Sequence, residues 1–376
     1  MTSRTLGMLM AASLAGSAWA DDEPTGTYSA LVDVGNEPTQ LCLTVNARGY
    51  ATGTVMHQRK RYTVRGAVSD LWLSSNGRRV PLRMILPQGG EANGFLTIGG
   101  RTAAFAAARR SPSNIFAGRY TLITPAITVK RPPAEEPPAS PTSRRRVTEQ
   151  LSGDAEEPVG APRLRPKYLG GHGYGVMTIT PAGRFRITMR LADGQHFSIG
   201  QNFSAPLSIS FVAAPNLSGS FSGKLKFIEI EDSSDADGVF RWVRDGVDGL
   251  APVFRYGFDV QERLMASRYK PDQIPLKGDT EPRGRLAIKG GILTRNSATA
   301  VYFDDGELDA PEYHFKSRLN PFSGAFASAL ILPVYGVPAR TGGVVFQKQN
   351  RIYGMSETRY GTTGVNIERK IEHLKD

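Results

Sequence analysis

Residues 43–66 read LTVNARGYATGTVMHQRKRYTVRG, and residues 177–200, MTITPAGRFRITMRLADGQHFSIG, can be laid on them without a gap. The alignment pairs Thr44 with Thr178, Gly49 with Gly183, and Thr54 with Thr188. In both stretches apolar and polar residues alternate on either side of a glycine, which predicts a β-hairpin of the same register. A looser echo at residues 319–326, LNPFSGAF, again places a glycine between apolar positions. The sequence therefore predicts duplication of a hairpin unit.

The rest of the chain has the composition of a β protein. Of its 376 residues 40% are apolar, and 41 Gly with 25 Pro make turns frequent. Asn76-Gly77, Asp193-Gly194 and Asp305-Gly306 are strong signals for tight turns between strands. We expect an all-β fold in which antiparallel meanders form two β-barrel or sandwich-like lobes joined by a Pro-rich linker.

Composition changes sharply once along the chain. Residues 126–167 are rich in proline and in charges of both signs, so they are predicted to be a flexible linker or a long excursion loop. The segment separates an N-terminal β lobe over residues 22–125 from a C-terminal β lobe over residues 168–367. The second lobe is long enough to be a large barrel or to contain two sheets. Residues 368–376 are expected to be a tail.

The N-terminus has the three parts of a secretory signal peptide. Residues 1–20 contain Arg4, a short apolar stretch, and small residues ending in Ala18-Trp19-Ala20. The apolar stretch is too short to cross a bilayer, and no later segment is long and apolar enough to do so. We therefore expect an exported protein that is periplasmic, at the cell surface or extracellular, with no transmembrane segment after cleavage.

The formal net charge of +11 favours anionic partners. The basic residues are scattered, and no run of them is interleaved with stacking aromatics, so a nucleic-acid partner is not expected. An anionic polysaccharide or an envelope component is the partner that the charge predicts. Aromatic side chains would stack on sugar rings while arginines contact carboxylate or sulfate groups. Trp242, between Arg241 and Arg244, and Tyr269 are the residues predicted to form such a binding site.

Two acidic groups suggest other chemistry. Asp235 and Asp237 precede Gly238, a pattern typical of a calcium loop, so a surface Ca²⁺ site is predicted there; the alternative is a solvated acidic hairpin tip. A full EF-hand is excluded because its twelfth position would be Arg244. The second group is residues 304–312, and either this group or the first, at 229–238, could supply one carboxylate of a glycosidase.

A catalytic constellation is absent from the sequence. The five histidines show no metal-ligand spacing, no G-x-S-x-G occurs, and the lone Cys42 has no nearby histidine to act as its base. Apart from a possible surface Ca²⁺, no cofactor is expected. A secreted polysaccharide-active hydrolase or lyase remains the alternative to a binding protein, and it would use carboxylates, His196 or Tyr269.

Short glycine and aromatic motifs recur along the chain: GTYSAL at 26–31, FAGRYTLI at 116–123, GYGVMTI at 173–179, LADG at 191–194, SRY at 267–269, LNP at 319–321, SGAF at 323–326, GVVFQKQN at 343–350 and YG at 353–354. In these motifs and their order the chain resembles the uncharacterised β-rich repeat modules of large secreted or surface proteins of environmental bacteria. This resemblance implies an extracellular β fold and no established catalytic residue. Together with the charge and the predicted export, it favours a non-catalytic protein of the envelope or cell surface that acts in binding or adhesion.

Overall fold

The structure is a computed structural model. It describes residues 25–58, 60–75, 77–85, 91–109, 115–128, 168–202, 207–215, 219–246, 257–273, 284–291, 293, 295–332, 336–358 and 361–369. The predicted signal peptide and nearly all of the Pro-rich segment lie outside these residues, as do residues 370–376 of the predicted tail. No helix in the described part of the chain is long and apolar enough to cross a membrane.

The first 8 strands form a closed antiparallel barrel. Each strand pairs with the next along the chain, and β1 closes the barrel by pairing with β8 through Ser29 and Ala108. Alternate residues such as Leu41, Leu43 and Val55 fill the interior. The strands are β1 (Gly26–Val34), β2 (Glu37–Val45), β3 (Tyr50–His57), β4 (Lys60–Ala67), β5 (Asp70–Ser75), β6 (Arg78–Ile85), β7 (Glu91–Ile98) and β8 (Arg101–Arg109).

The second sheet also has 8 strands, in the order β14-β13-β12-β9-β18-β17-β16-β15. Its interior holds an aromatic core that includes Phe185, Phe211, Phe221 and Phe240. Its strands are β9 (Gly118–Thr124), β12 (Gly173–Ile179), β13 (Arg184–Arg190), β14 (His196–Asn202), β15 (Ser208–Ala213), β16 (Ser220–Lys226), β17 (Ala236–Arg244) and β18 (Phe258–Arg268), while β10 (Ile127–Thr128) and β11 (Tyr168–Leu169) pair separately.

The third sheet repeats this topology, in the order β22-β21-β20-β19-β26-β25-β24-β23. It surrounds a core of its own that includes Leu286, Val301 and Phe315. Its strands are β19 (Gly284–Lys289), β20 (Ser297–Asp304), β21 (Glu307–Ala310), β22 (Phe315–Arg318), β23 (Ala325–Leu332), β24 (Val337–Phe346), β25 (Arg351–Thr358) and β26 (Gly361–Arg369), with 3₁₀ turns at Pro311–Tyr313 and Gln347–Gln349.

The three units are therefore copies of one plan. In each, 8 strands run in an up-and-down meander, and the first strand pairs with the eighth. We call them the first, second and third meanders. The first is closed completely, whereas the second and third lack backbone pairing between their fourth and fifth strands. The prediction of an all-β, antiparallel, barrel-like fold is confirmed.

The repeated sequence falls on equivalent strands of two meanders. Residues 43–66 run from the second to the fourth strand of the first meander, and residues 177–200 do the same in the second. In both turns the glycine N–H donates to the carbonyl oxygen three residues earlier, from Gly49 to Asn46 O and from Gly183 to Thr180 O. Both glycines have φ of 69°, where a side chain is strained. The echo at residues 319–326 lies between a fourth and a fifth strand, so it is not equivalent.

The structure differs from the predicted division of the chain in three ways. Strand β9 lies within the predicted N-terminal lobe but is the first strand of the second meander, so the first lobe ends before residue 118. The C-terminal lobe contains two separate meanders. Glu368 and Arg369 were assigned to the tail but end strand β26.

The Pro-rich segment does not join two lobes. It leaves the second meander after its first strand, and the chain re-enters that meander at β12, which pairs with β9. At the neck of the segment Ile127 pairs with Leu169. The segment is therefore an excursion from the second meander, which was the alternative to a linker.

Side-chain contacts join the meanders. Gln40 of β2 reaches the unpaired seam of the second meander, where it donates to Ser210 O at 2.7 Å and accepts from Val212 N at 2.8 Å. The outer faces of the second and third meanders pack against each other through an apolar cluster that includes Ile123 and Phe346. The first meander is thus attached to the second through β1 and β2, on one side of its barrel.

Candidate binding surface

The outer wall of the first meander carries arginines beside exposed aromatic side chains. Register places Arg65 of β4 opposite Trp72 of β5, and Trp72 opposite Pro81 of β6. Arg83, two residues beyond Pro81, lies opposite Phe95 of β7. Neighbouring strands are about 4.8 Å apart, so these side chains form a continuous strip across four strands. We call this surface the arginine–aromatic wall, and we define it by Arg61, Arg65, Trp72, Arg79, Pro81, Arg83, Ile85 and Phe95.

Its apolar members are strongly exposed. The exposed fraction is 36% for Trp72, 54% for Phe95 and 70% for Ile85. Single exposed apolar residues are common, but several together on one barrel face mark an interaction surface. The four arginines are also exposed, and none of them forms an ion pair with a carboxylate in the described part of the chain. Their guanidinium groups are therefore available to an anion.

Strict alternation along the strands creates the wall. Leu71 and Leu73 point into the barrel and are 1% exposed, which forces Trp72 between them to the outside. Leu82 and Met84 act in the same way on β6, so Arg83 and Ile85 face outwards. In a closed barrel of eight strands, β5 lies opposite β1. The wall is therefore on the side of the first meander away from its attachment to the second.

The predicted binding residues do not form a surface site. Trp242 is 1% exposed in the core of the second meander, where its ring packs edge-on against Phe258 at 4.7 Å. It cannot stack on a sugar at the surface, so that prediction is wrong. The physical reason is strand periodicity, because Trp242 and Arg244 share the inward face of β17.

Arg244 forms a buried ion pair with Asp193. The side chains are 1% and 0% exposed, and Asp193 also accepts hydrogen bonds from the Gln195 backbone and amide at 2.9 and 2.6 Å. Burial raises the pKa of Asp193, while Arg244 and Gln195 oppose that rise. Arg244 therefore has a structural partner, and it is not available to an external ligand.

Arg241 faces outwards but is engaged within the protein. Its Nε and Nη2 atoms donate to both carboxylate oxygens of Asp259 at 2.9 and 2.7 Å, and Nη1 donates to Asn36 O of the first meander. The bidentate bond lowers the pKa of Asp259. Arg241 thus helps to attach the first meander to the second.

Tyr269 belongs to the core of the third meander and is 4% exposed. Burial raises the pKa of its hydroxyl. Gly324 lies so close to the tyrosine ring that a Cβ there would overlap it. Tyr269 therefore packs the core, and its predicted role in an exposed platform is wrong.

Asp235 and Asp237 are held by basic groups of the protein. Asp235 accepts a hydrogen bond from the Arg268 backbone at 2.6 Å and lies 3.7 Å from Lys348 Nζ. Asp237 forms an ion pair with Arg263. In the described part of the chain no group of three or more His, Cys, Asp and Glu could hold a metal ion. Calcium binding at this pair stays a prediction, and it would require the basic groups to move.

The residues of the enzymatic alternative are also separated. The acidic group at 229–237 lies between β16 and β17 of the second meander, whereas the group at 304–312 lies around β21 of the third. Within the second group Glu307 pairs with Lys316 at 3.1 Å, and Glu312 accepts a hydrogen bond from Thr299. Acidic side chains in both groups are therefore bound to basic or hydroxyl groups of the protein, as Glu229 is to Lys348 and Glu307 is to Lys316.

The fold and the wall define the class of protein: three eight-stranded meanders with a charged, aromatic outer surface on the first. No protein-family model matches the chain, and no curated protein matches it. Among solved structures it is similar to a double mutant of the vaccine antigen transferrin binding protein B from Haemophilus parasuis Hp5, with 10% identity and a TM-score of 0.21. A single mutant of the same antigen gives 9% identity and a TM-score of 0.23. Both alignments cover 93% of this chain and 77% of the other.

Proposed function

We propose that this chain is an exported, non-catalytic binding protein that holds an anionic glycan on the arginine–aromatic wall of its first meander. The observation that supports this most directly is the set of four exposed arginines, without carboxylate partners in the described residues, beside Trp72 and Phe95. The predicted signal peptide and the net charge of +11 fit the same function. The resemblance to modules of secreted and surface proteins remains part of the proposal.

The chemistry of the wall suits a charged sugar polymer. A guanidinium group binds a carboxylate or a sulfate with two parallel hydrogen bonds, and an exposed indole or phenyl face stacks on a sugar ring. Arg65 and Trp72 are cross-strand neighbours, as are Arg83 and Phe95. Each pair offers one anion-binding group beside one stacking surface. Two such pairs along the strip would contact successive residues of an extended chain.

The convex shape of the wall favours binding over catalysis. It is the outside of a barrel, and its described side chains include no facing pair of carboxylates. A polymer lying across it would remain largely in water. Affinity would then come from several weak contacts, and it would fall as salt screens the arginines.

The test compares the wall with another arginine-bearing surface of the same protein. The full chain is titrated with dextran sulfate, with polygalacturonate and with neutral dextran, at low and high salt. We expect binding to one or both acidic polymers, weaker binding at high salt, and none to neutral dextran. The double variant Arg65→Ala/Arg83→Ala should lose about tenfold or more in affinity, a loss of about 1.4 kcal/mol, and Trp72→Ala should weaken binding without changing the net charge.

The matched control is Arg184→Ala/Arg186→Ala, which removes two exposed arginines from β13 of the second meander. It should change the affinity by less than about twofold. Equal losses in the two double variants would show that net charge alone attracts the polymer, and would overturn the assignment to the wall. Failure to bind either acidic polymer, or tighter binding of single-stranded DNA at the wall, would overturn the choice of ligand.

A further inference from the structure

Large apolar side chains are exposed at one end of the second meander and on the adjoining tip of the third. This end, where β9 begins and β16 ends, we call the loop end. The exposed fractions are 77% for Ile115, 47% for Leu207, 45% for Ile228, 38% for Ile230 and 65% for Phe322. These residues come from four separate loops, so they are not one exposed stretch of sequence.

Contacts between the loops hold these residues together. The ring of Phe116, next to Ile115, stacks on Phe227 with centroids 4.6 Å apart. The backbone of Phe227, next to Ile228, donates to Leu207 O at 2.7 Å. Three of the four loops therefore meet around one aromatic pair, and each carries an exposed apolar side chain beside it.

The fourth loop is attached through Arg119. Its guanidinium carbon lies 5.3 Å from the centre of the Phe322 ring, and its Nη1 donates to Phe322 O at 3.2 Å. Phe322 is thus held on the surface by a defined contact although it is large and apolar. Surfaces that are ordered before binding lose less conformational entropy when a partner docks.

The tip between β16 and β17 adds acidic groups to the apolar ones. It reads Ile-Glu-Ile-Glu-Asp over residues 228–232 and contains no basic residue. Its form is fixed by two backbone hydrogen bonds between Ile230 and Ser234. Glu231 and Asp232 are exposed and form no ion pair with any described residue. Glu229 is bound to Lys348 but remains mostly exposed.

We propose that the loop end is a docking surface for a second protein, whose contact area has an apolar centre bordered by Lys or Arg. Protein interfaces typically combine an apolar centre with a polar rim, and the acidic groups of the tip would face the basic border of the partner. An anionic lipid surface fits less well, because the carboxylates alternate with the isoleucines that would have to enter it. The inference is independent of the glycan proposal, since it concerns a different meander.

The experiment captures the partner at the surface and then measures its affinity. A photo-crosslinking amino acid replaces Phe322 in the full chain, which is produced in its native host and irradiated in intact cells. A protein captured here, and not by the same probe at exposed Tyr302 of β20, is identified, purified and titrated against the full chain. Ile228→Ala/Ile230→Ala should weaken its binding by about tenfold or more.

Charge and control variants complete the test. Glu231→Lys/Asp232→Lys should slow association by placing like charges opposite the basic border, and added salt should no longer slow it further. Val239→Ala, an exposed apolar residue on the outer face of β17, should leave binding unchanged. The proposal is overturned if the probe captures no protein, or only a second copy of this chain. It is overturned too if the loop-end variants bind the purified partner as tightly as Val239→Ala, or if anionic vesicles bind the loop end instead.

Discussion

At the scale of single residues, the ion pair of Asp193 and Arg244 makes the sharpest prediction about stability. Both side chains are almost completely buried. Replacing Asp193 by Asn leaves the guanidinium charge of Arg244 without its counter-charge in the barrel interior, and such losses destabilise a protein by about 3–5 kcal/mol. We expect Asp193→Asn to lower the free energy of unfolding of the second meander by this amount and so to lower its urea midpoint. The unfolding is followed by the fluorescence of buried Trp242.

The control is an ion pair at the surface. Arg263 has a side chain that is 47% exposed, and it pairs with Asp237. The interaction is screened by water, so Asp237→Asn should change the free energy of unfolding by about 1 kcal/mol or less. Similar losses for the two variants would contradict the structural role assigned to the buried pair. The same control, titrated with Ca²⁺, reports whether Asp237 holds a cation.

The same residues show how far sequence alone reaches at this scale. Trp242 lies among charged and turn-forming residues, which suggested exposure, but those neighbours do not tell which face of β17 it occupies. Trp72 lies between Leu71 and Leu73, and this alternation is enough to place it outside. The missed signal was therefore local periodicity. Arg244 could not have been assigned, because its partner Asp193 is distant in sequence and meets it only through the fold.

At the scale of elements, the segment between β11 and β12 is predicted to make stability depend on pH. His172 follows β11, lies 3.3 Å from Thr124 O through its Nδ1, and packs its ring 5.0 Å from that of Tyr353 in β25. Burial lowers the pKa of His172 below its ordinary 6.5. As pH falls through 6.5, His172 takes up a proton in the unfolded chain but stays neutral in the folded chain. The contribution of His172 to the free energy of unfolding is therefore fully present above this pH and is lost below it.

The measurement compares His172→Phe with the natural chain. Phenylalanine keeps an aromatic ring against Tyr353 but cannot bind a proton. Between about pH 8 and about pH 5 the variant should lose less unfolding free energy than the natural chain, by about 1.4 kcal/mol for each unit by which the histidine pKa is lowered. Burial also lowers the pKa of His57, but His57 is present in both proteins and its effect cancels. Identical pH profiles would refute the role of His172.

The elements themselves were largely predictable. Turn signals at Gly77, Gly194 and Gly306 coincide with positive φ values of 78°, 87° and 80°. The hairpin repeat falls on equivalent strands because a glycine at the same position in each copy adopts the positive φ that the turn requires. The similar stretch at residues 319–326 is not a third copy of the hairpin, since any glycine turn between apolar strands gives that pattern. Strand β9 was assigned to the wrong lobe because a strand does not reveal its pairing partners.

At the scale of the whole molecule, the number of meanders depended on long-range pairing that sequence patterns do not encode. The second and third meanders are each one continuous sheet because β9 pairs with β18 and β19 pairs with β26. The first of these pairings could not be predicted from the sequence, because the Pro-rich excursion separates β9 along the chain from the other strands of its sheet. The division into meanders places the two proposed surfaces apart, with the wall on the first meander and the loop end on the second and third.

This separation depends on how the first meander is attached, and Gln40 is predicted to be essential to that attachment. Its side chain is 2% exposed and bridges the unpaired seam of the second meander. Its amide nitrogen donates to Gln201 Oε1 and Ser210 O, and its amide oxygen accepts from Gln201 Nε2 and Val212 N. Gln40→Leu keeps the volume but leaves Ser210 O and Val212 N–H buried without partners, at about 1–3 kcal/mol for each unsatisfied group.

We expect faster hydrogen exchange of the Val212 amide in Gln40→Leu, while Ile187 in the middle of β13 stays protected. Thr44→Val, exposed on the same strand as Gln40, should leave Val212 unchanged. Unaltered protection of Val212 in Gln40→Leu would mean that the first meander is held by other contacts, with Arg241 and Asn36 the next to test.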